Sequence, residues 1–300
     1  MDILTLDKVS KSFGEKHILN EISFSVPKGS IFGFIGQNGA GKTTTMKMIL
    51  GLLKTDSGQI TVCGEKVSFG QNATNQYIGY LPDVPEFYDF MTPYEYLMFC
   101  GEITGMSVSL AKERAEELLE MVGLDQEKRR IKGFSRGMKQ RLGIAQALFN
   151  RPKLLICDEP TSALDPIGRK EILDILVQAK KETTVIFSTH ILSDVERICD
   201  RIAFLHQGEI SLQGELSEIL SAKTSGDVEI EFRKREEANR FAEAFPDWKE
   251  CTTFKVHYEK KSEKDRISMM EFLVSEKICP VKFEQLEPDL EDVFMEVAGK

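Results

Sequence analysis

The sequence lacks any run of about eighteen apolar residues free of charge, the length that a membrane-crossing helix requires. No segment is therefore expected to span a bilayer as a helix. Its opening, Met1-Asp2-Ile3-Leu4-Thr5, has neither a basic flank nor a long apolar core, so no signal peptide is expected. Positive charge is also short, with 39 Lys and Arg against 48 Asp and Glu, a net charge of -9 and a sequence pI of about 5.2. Without a broad basic surface to neutralise a phosphate backbone, nucleic acid is not expected as a partner. Paired cysteines are missing: Cys63, Cys100, Cys157, Cys199, Cys251 and Cys279 lie far apart with no C-x-x-C. They read as small hydrophobes in a reducing cytosol, which excludes a disulfide framework and a zinc site. No long repeat, low-complexity tract or sustained heptad is present. The 300 residues are 41% hydrophobic and 29% charged, which suits a large globular domain followed by a small one.

From Ile3 to Val26 apolar and polar residues alternate around a turn at Gly14-Glu15-Lys16, which predicts antiparallel strands of a half-buried sheet. Ser30 to Ile35 is nearly all apolar and reads as a buried central strand, followed by a glycine-rich turn and a helix from Lys42 to Leu50. Between about 85 and 150 the apolar spacing is helical, as at Ala115, Leu118, Leu119 and Val122, which marks a helical insert. Two further buried strands, Lys153 to Cys157 and Thr184 to Ser188, flank an amphipathic helix around Glu171 to Lys180. Strand, helix and strand in succession predict a mainly parallel sheet. A last hairpin turns at Gln207-Gly208. The small polar stretch Ser221 to Gly226 reads as a linker, giving domains 1–220 and 227–300. Beyond it, short strands at Val228 to Phe232, Thr253 to Tyr258 and Val281 to Leu286 alternate with helices, a small α+β piece with no evident site chemistry.

Gly36-Gln37-Asn38-Gly39-Ala40-Gly41-Lys42-Thr43 satisfies G-x-x-x-x-G-K-[ST] at every specified position, after a buried strand and opening a helix. Glycines let successive N–H groups turn inward toward phosphate, where Lys42 would reach the β- and γ-phosphates and the Thr43 hydroxyl would ligate magnesium; a glycine turn beside an exposed lysine is the plain alternative. Leu154 to Cys157 leads into Asp158-Glu159-Pro160, where an aspartate ending a parallel strand can hold magnesium through water. Glu159 is expected to point the other way out of the extended backbone and polarise an attacking water. Taken alone, the two carboxylates could instead face solvent or cap a helix. Ser135, just before a helix reaching about Asn150, reads by itself as an N-cap.

The order of these features changes their meaning. Phosphate loop, helical insert, the Ser135-Arg136-Gly137-Met138 helix start, Asp-Glu-Pro, Ser162-Ala163-Leu164-Asp165 and then His190 resemble the ATP-binding-cassette (ABC) ATPase family over roughly residues 1–220. The resemblance implies an α/β P-loop NTPase core with an antiparallel β subdomain and a helical subdomain. It implies that Phe13 stacks on adenine, that Gly36 to Thr44 form the Walker A loop, and that Asp158 and Glu159 are the Walker B carboxylate and catalytic glutamate. Ser135 and Gly137 would face phosphate from the signature, Ser162 to Asp165 would form the D-loop, and His190 would be the switch histidine. Arg136 and Met138 stand where the family commonly has glycine and glutamine, a form associated with drug and antibiotic exporters. Asp83 stands where glutamine is usual; its carboxylate could reach magnesium through water but cannot donate a hydrogen bond when ionised. The tail Glu287-Pro288-Asp289-Leu290 looks like the end of an exporter accessory domain, and an amphipathic capping helix accounts for it equally.

The function implied is an ATPase subunit that uses ATP and Mg²⁺, pairs head to tail with a second cassette across two ATP molecules, and drives a separate membrane permease. It would be cytoplasmic, held at the inner face of the membrane by that permease. A soluble cassette acting on ribosomes or DNA, and a sensor that binds ATP without hydrolysing it, are the alternatives. For Phe13 an ordinary core aromatic, and for His190 a hydrogen-bonded strand-end histidine, also stay open.

Overall fold

A computed structural model of the chain describes residues 2–70, 73–221, 226–259, 261–286 and 290–298. Its contacts divide it into two units, Met1–Leu216 and Ser217–Lys300. The first opens with β1 (Asp2–Phe13) and β2 (Lys16–Pro27), antiparallel about the expected turn. Lys8 takes a positive φ, and the register shift between Leu6 and Val9 returns Val9 to the buried face. β3 (Ile31–Gly36) is buried at every position and passes through the glycine-rich turn into α1 (Lys42–Ile49). Strands β4 (Ser57–Val62) and β5 (Glu65–Lys66) complete a first sheet ordered β2-β1-β4-β5.

A second sheet carries the site. After β6 (Ile78–Leu81) come the helices of the insert, α2 (Pro93–Ile103), α3 (Val108–Met121) and α4 (Arg136–Leu148). Then follow β7 (Leu154–Asp158), α5 (Pro166–Ala179), β8 (Thr184–Thr189), α6 (Leu192–Ile198) and the hairpin of β9 (Arg201–His206) and β10 (Glu209–Glu215). The order is β10-β9-β3-β8-β7-β6, parallel except for β10. Every residue of β7 and β8 is buried, the expected result where both faces of a parallel sheet are covered. Phe24 of β2 stacks on Phe32 and Phe34 of β3 at 5.5 and 5.2 Å, joining the two sheets in one core. Helix α5 begins at Pro166, well before the expected Glu171, because Asp165 caps it and Pro166 fits its first turn.

The sequence reading contained neither β4 and β5 nor β6. β6 is only four residues long, too short for periodicity to register, and contains a glycine. That glycine is required by α4: a Cβ on Gly79 would lie 2.1 Å from the Ala147 carbonyl oxygen.

In the second unit, α7 (Leu216–Ser221) starts at the last residue of the first and precedes β11 (Val228–Glu231), α8 (Arg235–Ala244), β12 (Glu250–Cys251), β13 (Lys255–Tyr258), α9 (Glu263–Ser275), β14 (Lys282–Gln285) and α10 (Leu290–Ala298). The sheet is antiparallel in the order β12-β13-β11-β14, a split β-α-β arrangement of ferredoxin type and an α+β unit as expected. Val228, Ile230, Phe241, Tyr258 and Leu273 form its core. Most of the expected linker, 222–225, and the Glu287-Pro288-Asp289 part of the tail lie outside the described residues.

Candidate functional site

The loop between β3 and α1 is shaped by backbone crowding. Gly41 has φ +114, and a Cβ there would come within 2.8 Å of Leu19 Cδ2. Only glycine tolerates both demands at once. Asn38 and Gly39 at the tip are exposed, Ala40 is half-buried, and the Ala40 amide donates to the Gln37 carbonyl at 3.1 Å. Thr43 is exposed and Thr44 half-buried in the first turn of α1, where their amides have no partner within the helix.

Lys42 turns back into the loop and is almost fully buried. Its Nζ donates to the carbonyls of Gly36 at 2.6 Å and Gln37 at 3.1 Å, and sits 3.0 Å from Glu159 Oε1. The other carboxylate oxygen of Glu159 lies 2.9 Å from His190 Nδ1. One carboxylate thus bridges Lys42 and the histidine that follows β8. Glu159 is 13% exposed and His190 41%, so the pair is dry on one side and open on the other. Lys42 and Glu159, at 6% and 13% exposed, form the sequestered ion pair, and removing one partner of such a pair costs about 3–5 kcal/mol because the other charge is left uncompensated.

The route by which Glu159 arrives there differs from the expectation. β7 ends at Asp158, and Glu159 takes a left-handed conformation with φ +49 rather than continuing the extended backbone. Its amide donates to the Ser188 carbonyl and to Ser188 Oγ, both at 3.1 Å. A non-glycine residue held in this region is strained by roughly 1–3 kcal/mol and persists only where its surroundings dictate it. Ser188 Oγ also donates to Asp158 Oδ1 at 2.5 Å, with both residues buried, so one hydroxyl orients both acidic residues. Sequence reasoning passed over Ser188. The available signal was its place in a buried strand just before His190, but only strand pairing sets it opposite Asp158.

Burial pushes the phenol of Tyr80 on β6 up to about 12, with the Asp158 and Asp83 carboxylates adding to it, so it stays a protonated neighbour. A second network missed from sequence anchors the loop after Glu159. Asp194 of α6, 3% exposed, accepts from Thr161 Oγ1 at 2.7 Å and from Arg169 Nη2 at 2.6 Å. This ties the loop following Glu159, α5 and the helix just beyond His190 together.

Direct contacts join Gly36, Lys42, Glu159 and His190, Asp158 is tied to them through Ser188, and the candidates outside the β3–α1 turn are held elsewhere. Phe13 ends β1 half exposed, with the Lys11 ammonium 5.3 Å from its ring centre, and is no core aromatic. Asp165 accepts from the Gly168 amide at 2.7 Å as the N-cap of α5. Ser135 Oγ accepts from the Met138 amide at 3.2 Å as the N-cap of α4. Gly137 has no positive φ, and a Cβ there would meet only Leu164 Cδ2 at 3.8 Å, so nothing within the chain requires glycine. Asp83 pairs with Arg136, its Oδ1 3.0 Å from Nη2.

Comparison with known proteins bears on all of this. The sequence pattern of the family described as "ABC transporter" matches residues 19–162. The chain is 38% identical over 300 residues to the ABC transporter ATP-binding protein YxlF of Bacillus subtilis (strain 168), covering 98% of this chain and 99% of the relative. It is 37% identical over 308 residues to the linearmycin resistance ATP-binding protein LnrL of the same organism, with 99% of each covered. Among solved structures, an ATP-binding subunit of an ABC transporter superposes with TM-score 0.65 at 32% identity, over 73% of this chain and 92% of that one.

Proposed function

We infer the working cycle from one premise: the chain belongs to the ABC transporter family, as an ATP-binding subunit that hydrolyses ATP to power transport. The observation that carries the mechanism is the Glu159 carboxylate held between Lys42 and His190. The loop from Gly36 to Thr44 wraps the phosphates with its amides, and Lys42 neutralises the β- and γ-phosphates. Glu159 aligns the attacking water and accepts its proton, while His190 fixes the carboxylate and offers a hydrogen bond to the γ-phosphate. Phe13 supplies a stacking face for the base.

Magnesium fits the donors present. The exposed Thr43 hydroxyl and the Asp158 carboxylate are hard oxygen donors, the kind that suits an ion retaining several waters. When bound it would neutralise charge between the β- and γ-phosphates. Asp158 would hold it from a carboxylate that Ser188 keeps in place.

The second half of the site comes from another cassette. Ser135 and Gly137 close over the ATP held by the partner's phosphate loop, and Asp165 lies at the same junction, so ATP joins the two copies. The spare room at Gly137 supports this, since the absent side chain serves something approaching from outside. No helix among the described residues is long and apolar enough to cross a membrane. The relatives named as ATP-binding proteins of transporters support a separate permease as the path of transport, with the cassette held at its inner face. Exposed Tyr88, Phe90, Ile103 and Val108 on the insert offer that permease an apolar seat. Export is favoured by the signature form and by the resistance role in the name of LnrL. The second unit serves as an accessory domain.

Glu159→Gln tests this reading: it should retain ATP binding, lose nearly all steady-state phosphate release and accumulate ATP-dependent dimers. Wild-type turnover by the purified variant would remove Glu159 from the mechanism.

A further inference from the structure

Two positions at which the sequence departs from the family pattern, Asp83 and Arg136, meet in space. Helix α4 grips the segment leading from β6 into the insert at three successive turns of one face. Arg136 Nη2 lies 3.0 Å from Asp83 Oδ1, Gln140 Nε2 donates to the Asp83 carbonyl at 2.7 Å, and Gly143 leaves room for Leu81 and Pro85. A Cβ on Gly143 would come within 2.5 Å of Leu81 Cδ1 and 3.4 Å of Pro85 Cβ. The two inner contacts are enough to fix the segment, since Gln140 is fully buried and Gly143 is in close contact.

The outer contact is different in kind. Arg136 and Asp83 side chains are 42% and 46% exposed, and an ion pair in such a setting adds little to stability. Its placement matters more. Arg136 stands between Ser135 and Gly137, the two residues that close on a second copy's ATP, and a guanidinium is a strong ligand for a phosphate oxygen. Asp83 holds that guanidinium in a bond weak enough to be exchanged.

We propose that Arg136 contacts the γ-phosphate of ATP held by the partner cassette, and that Asp83 is a positioning residue that retains Arg136 until phosphate replaces it. This rests on the head-to-tail reading above and gives Asp83 a role other than magnesium ligand. Asp83 competes with the nucleotide for one guanidinium, so closure occurs only when the phosphate outbids a carboxylate already in place. ADP has no γ-phosphoryl group to reach across the junction, so only ATP offers the oxygens that displace the carboxylate, and the exchange favours ATP over ADP.

The test uses full-length protein in the Glu159→Gln background, with dimer formation followed by light scattering as MgATP is titrated. Adding Asp83→Ala should lower the half-maximal ATP about two- to fivefold, the change that release of one half-exposed ion pair allows. Adding Arg136→Ala should raise it about tenfold, with Arg136→Lys between, since lysine keeps charge but loses the fork. Asp83→Ala should have no further effect once Arg136 is alanine, and the magnesium midpoint should not move in either single variant. The proposal is overturned if Asp83→Ala weakens dimerisation, shifts the magnesium midpoint, or acts equally with and without Arg136. If Glu159→Gln alone fails to dimerise, the head-to-tail reading falls and this proposal with it. If it dimerises and the Asp83 variants behave otherwise than stated, only the exchange is wrong.

Discussion

Replacing Ser188 by alanine isolates the contribution of one hydroxyl to the acidic centre. Ser188 is fully buried on β8, and its Oγ donates to Asp158 Oδ1 at 2.5 Å while accepting the Glu159 amide at 3.1 Å. The second interaction has a substitute, because the same amide also donates to the Ser188 carbonyl. The first has none of equal quality, and a hydrogen bond to a charged acceptor contributes about 1.5–3 kcal/mol. Ser188→Ala should therefore cost about 2 kcal/mol, which lowers Tm by about 4–8 °C in a unit of this size. Far-UV circular dichroism is the suitable probe, since the single tryptophan, Trp248, belongs to the second unit. With Asp158 free to rotate, the magnesium concentration giving half-maximal ATPase should rise about tenfold, the equivalent of roughly 1.4 kcal/mol. An unchanged Tm together with an unchanged magnesium midpoint would refute the claim that Ser188 orients Asp158.

Other perturbations probe separate contacts. Lys42→Ala should weaken binding of a non-hydrolysable ATP analogue by about ten- to a hundredfold, since it removes a charge-assisted contact worth about 1.5–3 kcal/mol and leaves Glu159 uncompensated; calorimetry showing wild-type affinity would contradict the assigned loop. Asp194→Ala should destabilise the first unit by about 3–5 kcal/mol, because it strands Arg169 and Thr161 around a buried gap, and the urea midpoint measures this. Burial raises the Cys157 thiol above its usual range, so iodoacetamide should label exposed Cys279 in the native protein and reach Cys157 only when the first unit unfolds.

Much of the first unit was readable from local pattern. The run Ile31 to Ile35, the alternation through β1 and β2 and the helical spacing of the insert each follow from neighbours a few residues apart. Short β6 and the two-residue β5 carried no such signal. Helix α5 began early because the cap at Asp165 outweighed the apolar periodicity that marked its middle.

The glycine-rich turn before Lys42, the acidic strand end and the order in which Ser135, Asp165 and His190 follow were legible along the chain, since each is a short pattern whose chemistry lies in adjacent residues. Folding turns Glu159 out of the strand direction to meet Lys42 and His190, sets Ser188 on Asp158 and brings Asp83 to Arg136. Those contacts join residues far apart in the chain, so they depend on which strands pair and which helix packs on them. Periodicity in a single segment carries no information about either.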